Sequence, residues 1–115
     1  MITFTCRTDR GIIIFDIGGE VCIYNVDKLK EAVNLSKVKG VYNFIFNISN
    51  VEYLDSTAIQ YLLAFSHELK GNKGRLVIVN PNEDVLHTLS LCRAERILTI
   101  TSSEYDALNQ LTMIT

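Results

Sequence analysis

Short apolar runs rich in β-branched and aromatic residues alternate with segments of helical period along this chain. That alternation limits the possible folds more than any other feature. Gly11–Ile17 carries Ile12, Ile13, Ile14 and Phe15 in unbroken succession, the pattern of a buried strand. Val41–Ile48 sets Phe44, Phe46 and Ile48 on one face of a second strand. Arg75–Val79 and Ile97–Thr101 are two more short strands, and residues 3–7 alternate weakly ahead of a hairpin turn at Thr8-Asp9-Arg10-Gly11. Gly18-Gly19 is expected to break its strand as a bulge or sharp bend. Four helical segments fall between and after these runs. Asn25 is placed to cap a helix to about Ser36, with Val26, Leu29, Ala32 and Val33 on one face. Asp55-Ser56-Thr57-Ala58 opens a long helix carrying Ile59, Leu62, Leu63 and Phe65 inward, with Gly71 as its stop. Asn82 is expected to cap a third helix with Val85, Leu86 and Leu89, and Ser103 with Asp106 imitates a capping box before a last helix to about Leu111. The order β-β-α-β-α-β-α-β-α predicts an α/β fold, a mixed sheet covered by about four helices.

With 48% hydrophobic and 21% charged residues, the 115-residue chain has the apolar content to bury a core, and residues 1–115 are expected to form one domain. Eleven Lys and Arg face thirteen Asp and Glu, for a net charge of −2, and no basic stripe is present. Backbone-phosphate binding needs clustered cations, so direct nucleic-acid binding is not expected. No apolar run approaches the roughly 20 residues that span a bilayer. The start, Met1-Ile2-Thr3-Phe4-Thr5, lacks the features of a signal peptide, so the expected compartment is the cytoplasm. Cys6, Cys22 and Cys92 are odd in number and form no metal-spaced pair, which predicts buried, reduced thiols and no metal or cofactor. His67 and His87 have no second ligand or base at motif spacing, and Lys70-Gly71-Asn72-Lys73-Gly74 lacks the ending of a P-loop. The charges of Lys37-Val38-Lys39 and Lys70–Arg75 are expected on solvated loops. Phe4, Phe15, Phe44, Phe46 and Phe65 are expected in the core.

The stretch most informative about function is Asn47-Ile48-Ser49-Asn50-Val51-Glu52-Tyr53-Leu54-Asp55-Ser56-Thr57-Ala58. A buried strand is expected to run into a loop, Ser49 to Leu54, that delivers Asp-Ser-Thr to a helix start. A helix N-terminus offers unpaired N–H groups and about half a positive charge, which suits a carboxylate or a phosphate. It also mounts the Ser56 and Thr57 hydroxyls near the surface. On spacing alone the plain alternative is a helix cap, with Asp55 accepting the N–H of Ala58 and nothing more.

Over nearly its whole length the chain resembles the STAS domain family, the bacterial anti-sigma-factor antagonists and their relatives. The strongest match is Tyr53-Leu54-Asp55-Ser56-Thr57-Ala58-Ile59-Gln60-Tyr61-Leu62-Leu63, against a family pattern of an apolar residue, Asp, Ser, a small residue, Gly and an apolar helix. Phe44–Val51, Gly19-Glu20-Val21, Leu76–Asn80 and Val85–Leu89 are similar to its other elements. The resemblance implies that Ser56 is a phosphorylation site, with Thr57 as second choice. It also implies a partner, a serine-kinase anti-sigma factor that is bound until phosphorylation ends the complex. Three positions depart from the family pattern. Ala58 replaces a Gly, setting a methyl where a partner is expected to approach. Cys22 replaces a common acidic residue, and the usual Gly before the last strand is replaced within Cys92-Arg93-Ala94.

Three readings follow. The first is a non-catalytic binding protein switched at Ser56. Its interface comprises Glu52, Tyr53, Asp55, Ser56, Thr57 and Ala58 together with Cys22, Tyr24 and Asn25, and Tyr24 and Tyr53 serve as aromatic anchors. The second is a constitutive scaffold or adaptor subunit, of a stress-signalling assembly or a lipid-transport machine, in which Ser56 is only a helix cap. The third, a small enzyme, is not expected, because no nucleophile–base–orienter set is recognisable. The domain is expected to be a monomer or a weak dimer.

Overall fold

The computed structural model describes residues 1–37 and 40–112. Arg10 and Gly11 take positive φ angles of 53° and 77°, the conformation of a two-residue turn whose twist matches its flanking strands. They join β1 (Thr3–Asp9) to β2 (Ile12–Val21) in an antiparallel hairpin. The chain continues through α1 (Val26–Ser36), β3 (Asn43–Leu54), α2 (Ser56–Gly71), β4 (Arg75–Val79) and α3 (Glu83–Leu91). A 3-10 turn (Ala94–Arg96), β5 (Thr99–Thr101) and α4 (Glu104–Thr112) complete it. Spatial strand order equals chain order, β1-β2-β3-β4-β5, with every pair after the hairpin parallel. This is the mixed-sheet α/β fold that the alternation predicts.

The helices divide three to one. Phe15, Phe44, Phe46, Leu76 and Ile78 face α1, α2 and α3, where Leu29, Leu62, Phe65, Val85 and Leu89 cover them. Phe65 contacts Phe44 edge-on at 5.0 Å and stacks on Phe46 at 5.6 Å, fixing α2 over the middle of the sheet. On the opposite face Ile12, Ile14, Ile45, Val77 and Val79 pack, among the described residues, against Ala107, Leu108 and Leu111 of α4. Arg7 of β1 ties this helix to the hairpin, bonding Asp16 of β2 at 2.7 Å and Glu104 of α4.

Several local expectations are corrected. Gly18-Gly19 is flanked by bulges, as expected, but does not end β2, and the expected Ser49–Leu54 loop is strand. The two extended ends pair in parallel, Gly18 with Asn50 and Val21 with Leu54, and two bulges place the extra residues in β3. Burial of Val51 and Leu54 together with this ladder outweighs the poor strand propensity of Asn and Glu. Ile97 and Leu98 leave the last strand, because the 3-10 turn before them takes up the chain. Gly71 is the last helical residue of α2 and not its stop; Lys73 takes the left-handed conformation at φ 64°. Gly74 next to it is needed for space, since a Cβ there would collide with the Tyr42 carbonyl oxygen. The thiols are not buried: Cys6 and Cys92 are exposed and Cys22 is half-buried. Phe4 is only half-buried, at the sheet edge, and Leu86 is exposed while Val85 and Leu89 face the core. Of the Lys37-Val38-Lys39 cluster, Lys37 bonds Glu68 at 2.6 Å, and Val38 and Lys39 lie outside the described residues.

Candidate functional site

Parallel pairing brings the C-terminal ends of β2 and β3 side by side, so the turn into α1 and the start of α2 are neighbours. Asp55 joins them. Its extended backbone (φ −93°, ψ 179°) puts it at the N-cap of α2, and its N–H donates to the Val21 carbonyl at 3.2 Å. One carboxylate oxygen, Oδ1, accepts the Ala58 N–H at 2.9 Å; the other, Oδ2, accepts the Ile23 N–H at 2.8 Å. The first bond caps the helix. The second crosses to the other loop and holds it against the helix end.

Asn25 does not cap α1, contrary to expectation. Its Oδ1 accepts the Cys22 N–H at 2.9 Å and its Nδ2 donates to the Glu20 carbonyl at 2.8 Å. The turn bends back on itself, with both Asn25 and Val26 N–H groups on the Cys22 carbonyl, so the amide clamps the turn rather than the helix. The other two predicted side-chain caps form as expected, Asn82 to Val85 at 2.8 Å and Ser103 to Asp106 at 3.1 Å.

With Asp55 as cap, Ser56 is released from that role. It occupies the first helical position, is exposed, and has no side-chain hydrogen bond among the described residues. Its N–H and that of Thr57 lie in the first turn, where the helix supplies no acceptor. Thr57 is half-buried. Tyr24, 92% exposed, and Ile23, 59% exposed, lie in the turn after β2, and Tyr53, 52% exposed, lies near the end of β3, the two segments that Asp55 joins. Glu52 is the extra residue of the second bulge and is exposed, as is Glu20. This end of the sheet thus carries exposed apolar and acidic side chains and a free hydroxyl at a helix start.

Ala58 is not part of it. The residue is 1% exposed and sits in the main core with Ile17, Val21 and Leu62, because the third position of α2 faces the sheet. The expected methyl at the partner surface is therefore inside. Cys22 is half-buried and takes part through its backbone, which anchors the Asn25 clamp. Ile23 is the residue that sequence reasoning missed. Its signal was an Ile-Tyr pair inside a turn, where neither strand nor helix periodicity would bury it.

Among the described residues no group of three His, Cys, Asp or Glu side chains could hold a metal ion, and no helix is long and apolar enough to cross a membrane. His67 and His87 are exposed on α2 and α3.

A family model described as STAS domain matches residues 3–107. The chain belongs to the STAS domain family. Among curated relatives, "Probable sulfate transporter 4.2" of Arabidopsis thaliana is 34% identical over 95 residues, covering 72% of this STAS domain and 14% of the transporter. The anti-sigma-B factor antagonist of Staphylococcus epidermidis is 29% identical over 69 residues, covering 60% of this chain and 64% of that protein. The chain thus spans less than two thirds of either relative. A crystal structure from Thermotoga maritima, described as that of a candidate anti-sigma factor antagonist, superposes with a TM-score of 0.87 at 25% identity, covering 94% of this chain and 93% of that one. The phosphorylated form of SpoIIAA, a Bacillus cell fate determinant, shares the fold at a TM-score of 0.71 and 17% identity, over 94% and 98% of the two chains.

The third departure of this STAS domain from the family pattern falls on a strained residue. Arg93 takes φ 57°, ψ 19°, the left-handed conformation that favours glycine.

Proposed function

We propose that this STAS domain is a non-catalytic regulatory protein of the anti-sigma-factor-antagonist type. In this reading it works in the cytoplasm, binds a serine-kinase anti-sigma factor through the exposed Ile23, Tyr24 and Tyr53, and is released by phosphorylation at Ser56. The observation that carries the reading is the division of labour at the head of α2. Asp55 uses both carboxylate oxygens on backbone N–H groups, and the neighbouring Ser56 hydroxyl is left free and exposed. A serine kept as a cap would have its hydroxyl on the third N–H of the helix, a place that Asp55 occupies.

A phosphate on Ser56 adds about −1.5 to −2 charges at pH 7. The helix end can accommodate it in the free protein. Inside a complex it would sit beside Asp55 and near the exposed Glu52, and it would have to lose water. A loss of about 10²–10³-fold in affinity corresponds to roughly 3–4 kcal/mol, within reach of one buried like-charge contact. The domain need not refold for this.

The test is capture from source cells with three baits, wild type, Ser56→Ala and Ser56→Asp, read by mass spectrometry. The expected result is a serine-kinase-like protein held by wild type and Ser56→Ala and lost by Ser56→Asp. One partner retained equally by all three baits would overturn the switch and leave a constitutive adaptor.

A further inference from the structure

The two edges of the sheet are unequal. β5 is three residues long, too short to template another strand, whereas β1 offers seven residues with Thr5, Cys6, Arg7 and Thr8 exposed. Among the described residues β1 pairs with β2 only, so its outer side carries open ladder positions. Their identity follows from the hairpin. A two-residue turn is closed by a hydrogen-bonded pair, here Asp9 with Ile12, and such pairs then alternate through Arg7–Ile14, Thr5–Asp16 and Thr3–Gly18. The register between β1 and β2 is unbroken, so the N–H and C=O groups of Phe4, Cys6 and Thr8 point away from the sheet.

We infer that β1 is the contact through which two copies of this chain associate, antiparallel, about a two-fold axis at Cys6. The geometry is self-complementary. Cys6 is the central residue of β1, so Cys6 would face its own copy, Phe4 would face Thr8, and about six ladder hydrogen bonds would form. No like charges oppose each other in this register. Thr5 faces Arg7, whose guanidinium is already neutralised by Asp16 and Glu104 of its own chain. Natural edge strands avoid such pairing with bulges, proline or unpaired lysine, and β1 has none of these. The paired sheet would bury less than about 1,200 Å², so association is weak and reversible. Because the two β1 strands run antiparallel, every strand of one copy is reversed in the other, so the Ser56 surfaces lie at opposite ends of the joined sheet and both remain open.

Sedimentation equilibrium from micromolar to millimolar concentration tests this. Wild type is expected to shift from monomer to dimer mass. Thr8→Pro removes an outward N–H without costing a bond to β2, and is expected to stay monomeric with unchanged circular dichroism. Cys6→Lys and Cys6→Asp place like charges on the two-fold axis and are each expected to weaken dimerisation at least tenfold. An equimolar mixture of the two is expected to restore a heterodimer, a rescue that misfolding could not produce. A wild type that stays monomeric to millimolar overturns the proposal and leaves the edge to a strand of another protein. Dimers that persist in Thr8→Pro and Cys6→Lys overturn it in favour of another surface, such as that of the exposed Ile23 and Tyr24.

Discussion

Asp55→Ala removes two hydrogen bonds that hold different parts of the molecule. The cap on Ala58 N–H at 2.9 Å is worth about 1 kcal/mol, within a range of roughly 0.5–2 for such substitutions. The bond to Ile23 N–H at 2.8 Å has an ionised acceptor, a class worth about 1.5–3 kcal/mol; Asp55 is half-buried, which favours the lower end. The expected loss is therefore about 2–3 kcal/mol, a large share of the roughly 5–15 kcal/mol that stabilises a domain. Urea unfolding should show it as a lower midpoint with an unchanged slope, since no new surface is exposed in either state. Asp55→Asn separates the two roles. Its amide keeps one acceptor, and asparagine is a good cap, so the Ala58 bond survives while an NH₂ group meets the Ile23 N–H. That variant should lose about half as much stability, and hydrogen exchange should accelerate at Ile23 far more than at Ala58. A loss below about 0.5 kcal/mol for Asp55→Ala, or equal exchange at both amides in Asp55→Asn, would refute the dual role.

Three further substitutions separate site from scaffold. Ser56→Ala should change stability by less than about 0.5 kcal/mol in the same urea assay, because Ser56 caps nothing; a loss of 1 kcal/mol or more would restore it as a cap. Arg93→Gly should stabilise the domain by about 0.5–1 kcal/mol, the left-handed penalty of roughly 1–2 less the backbone entropy of glycine. A lower midpoint for that variant would mean that the Arg93 side chain contributes contacts that outweigh the strain. Gly74→Ala should cost at least about 2–3 kcal/mol, since the new methyl meets the Tyr42 carbonyl and must displace backbone, and a neutral result in thermal unfolding would show that this junction yields.

Much of the architecture was legible from periodicity. Arg75–Val79 matches β4 at both ends, and Asn82 and Asp55 cap the helices they precede, because a strand with no polar interruption and a cap next to an apolar stripe are local signals. The misreadings lie where a local signal met a distant partner. Ser49–Leu54 carries Ser, Asn and Glu and so resembles a loop, but in the fold it has β2 beside it and a core under Val51 and Leu54. Asn25 has the composition of a helix cap, and its amide is taken instead by the Glu20 carbonyl and the Cys22 N–H. Nothing in the residue types distinguishes those two outcomes.

The order of elements, the α/β class and the placing of Asp55-Ser56 at a helix start are all written in the local residue pattern. Each of these follows from the spacing of residues a few positions apart, which a single chain segment carries. Three features emerge only in the folded chain: Ala58 faces the core, Ile23 is exposed beside Tyr24, and Asp55 bonds both the turn before α1 and the start of α2. Those outcomes depend on β2 and β3 running parallel in a register that places Val21 beside Leu54. Such a register is set by burial across the whole sheet, so no stretch of sequence contains it.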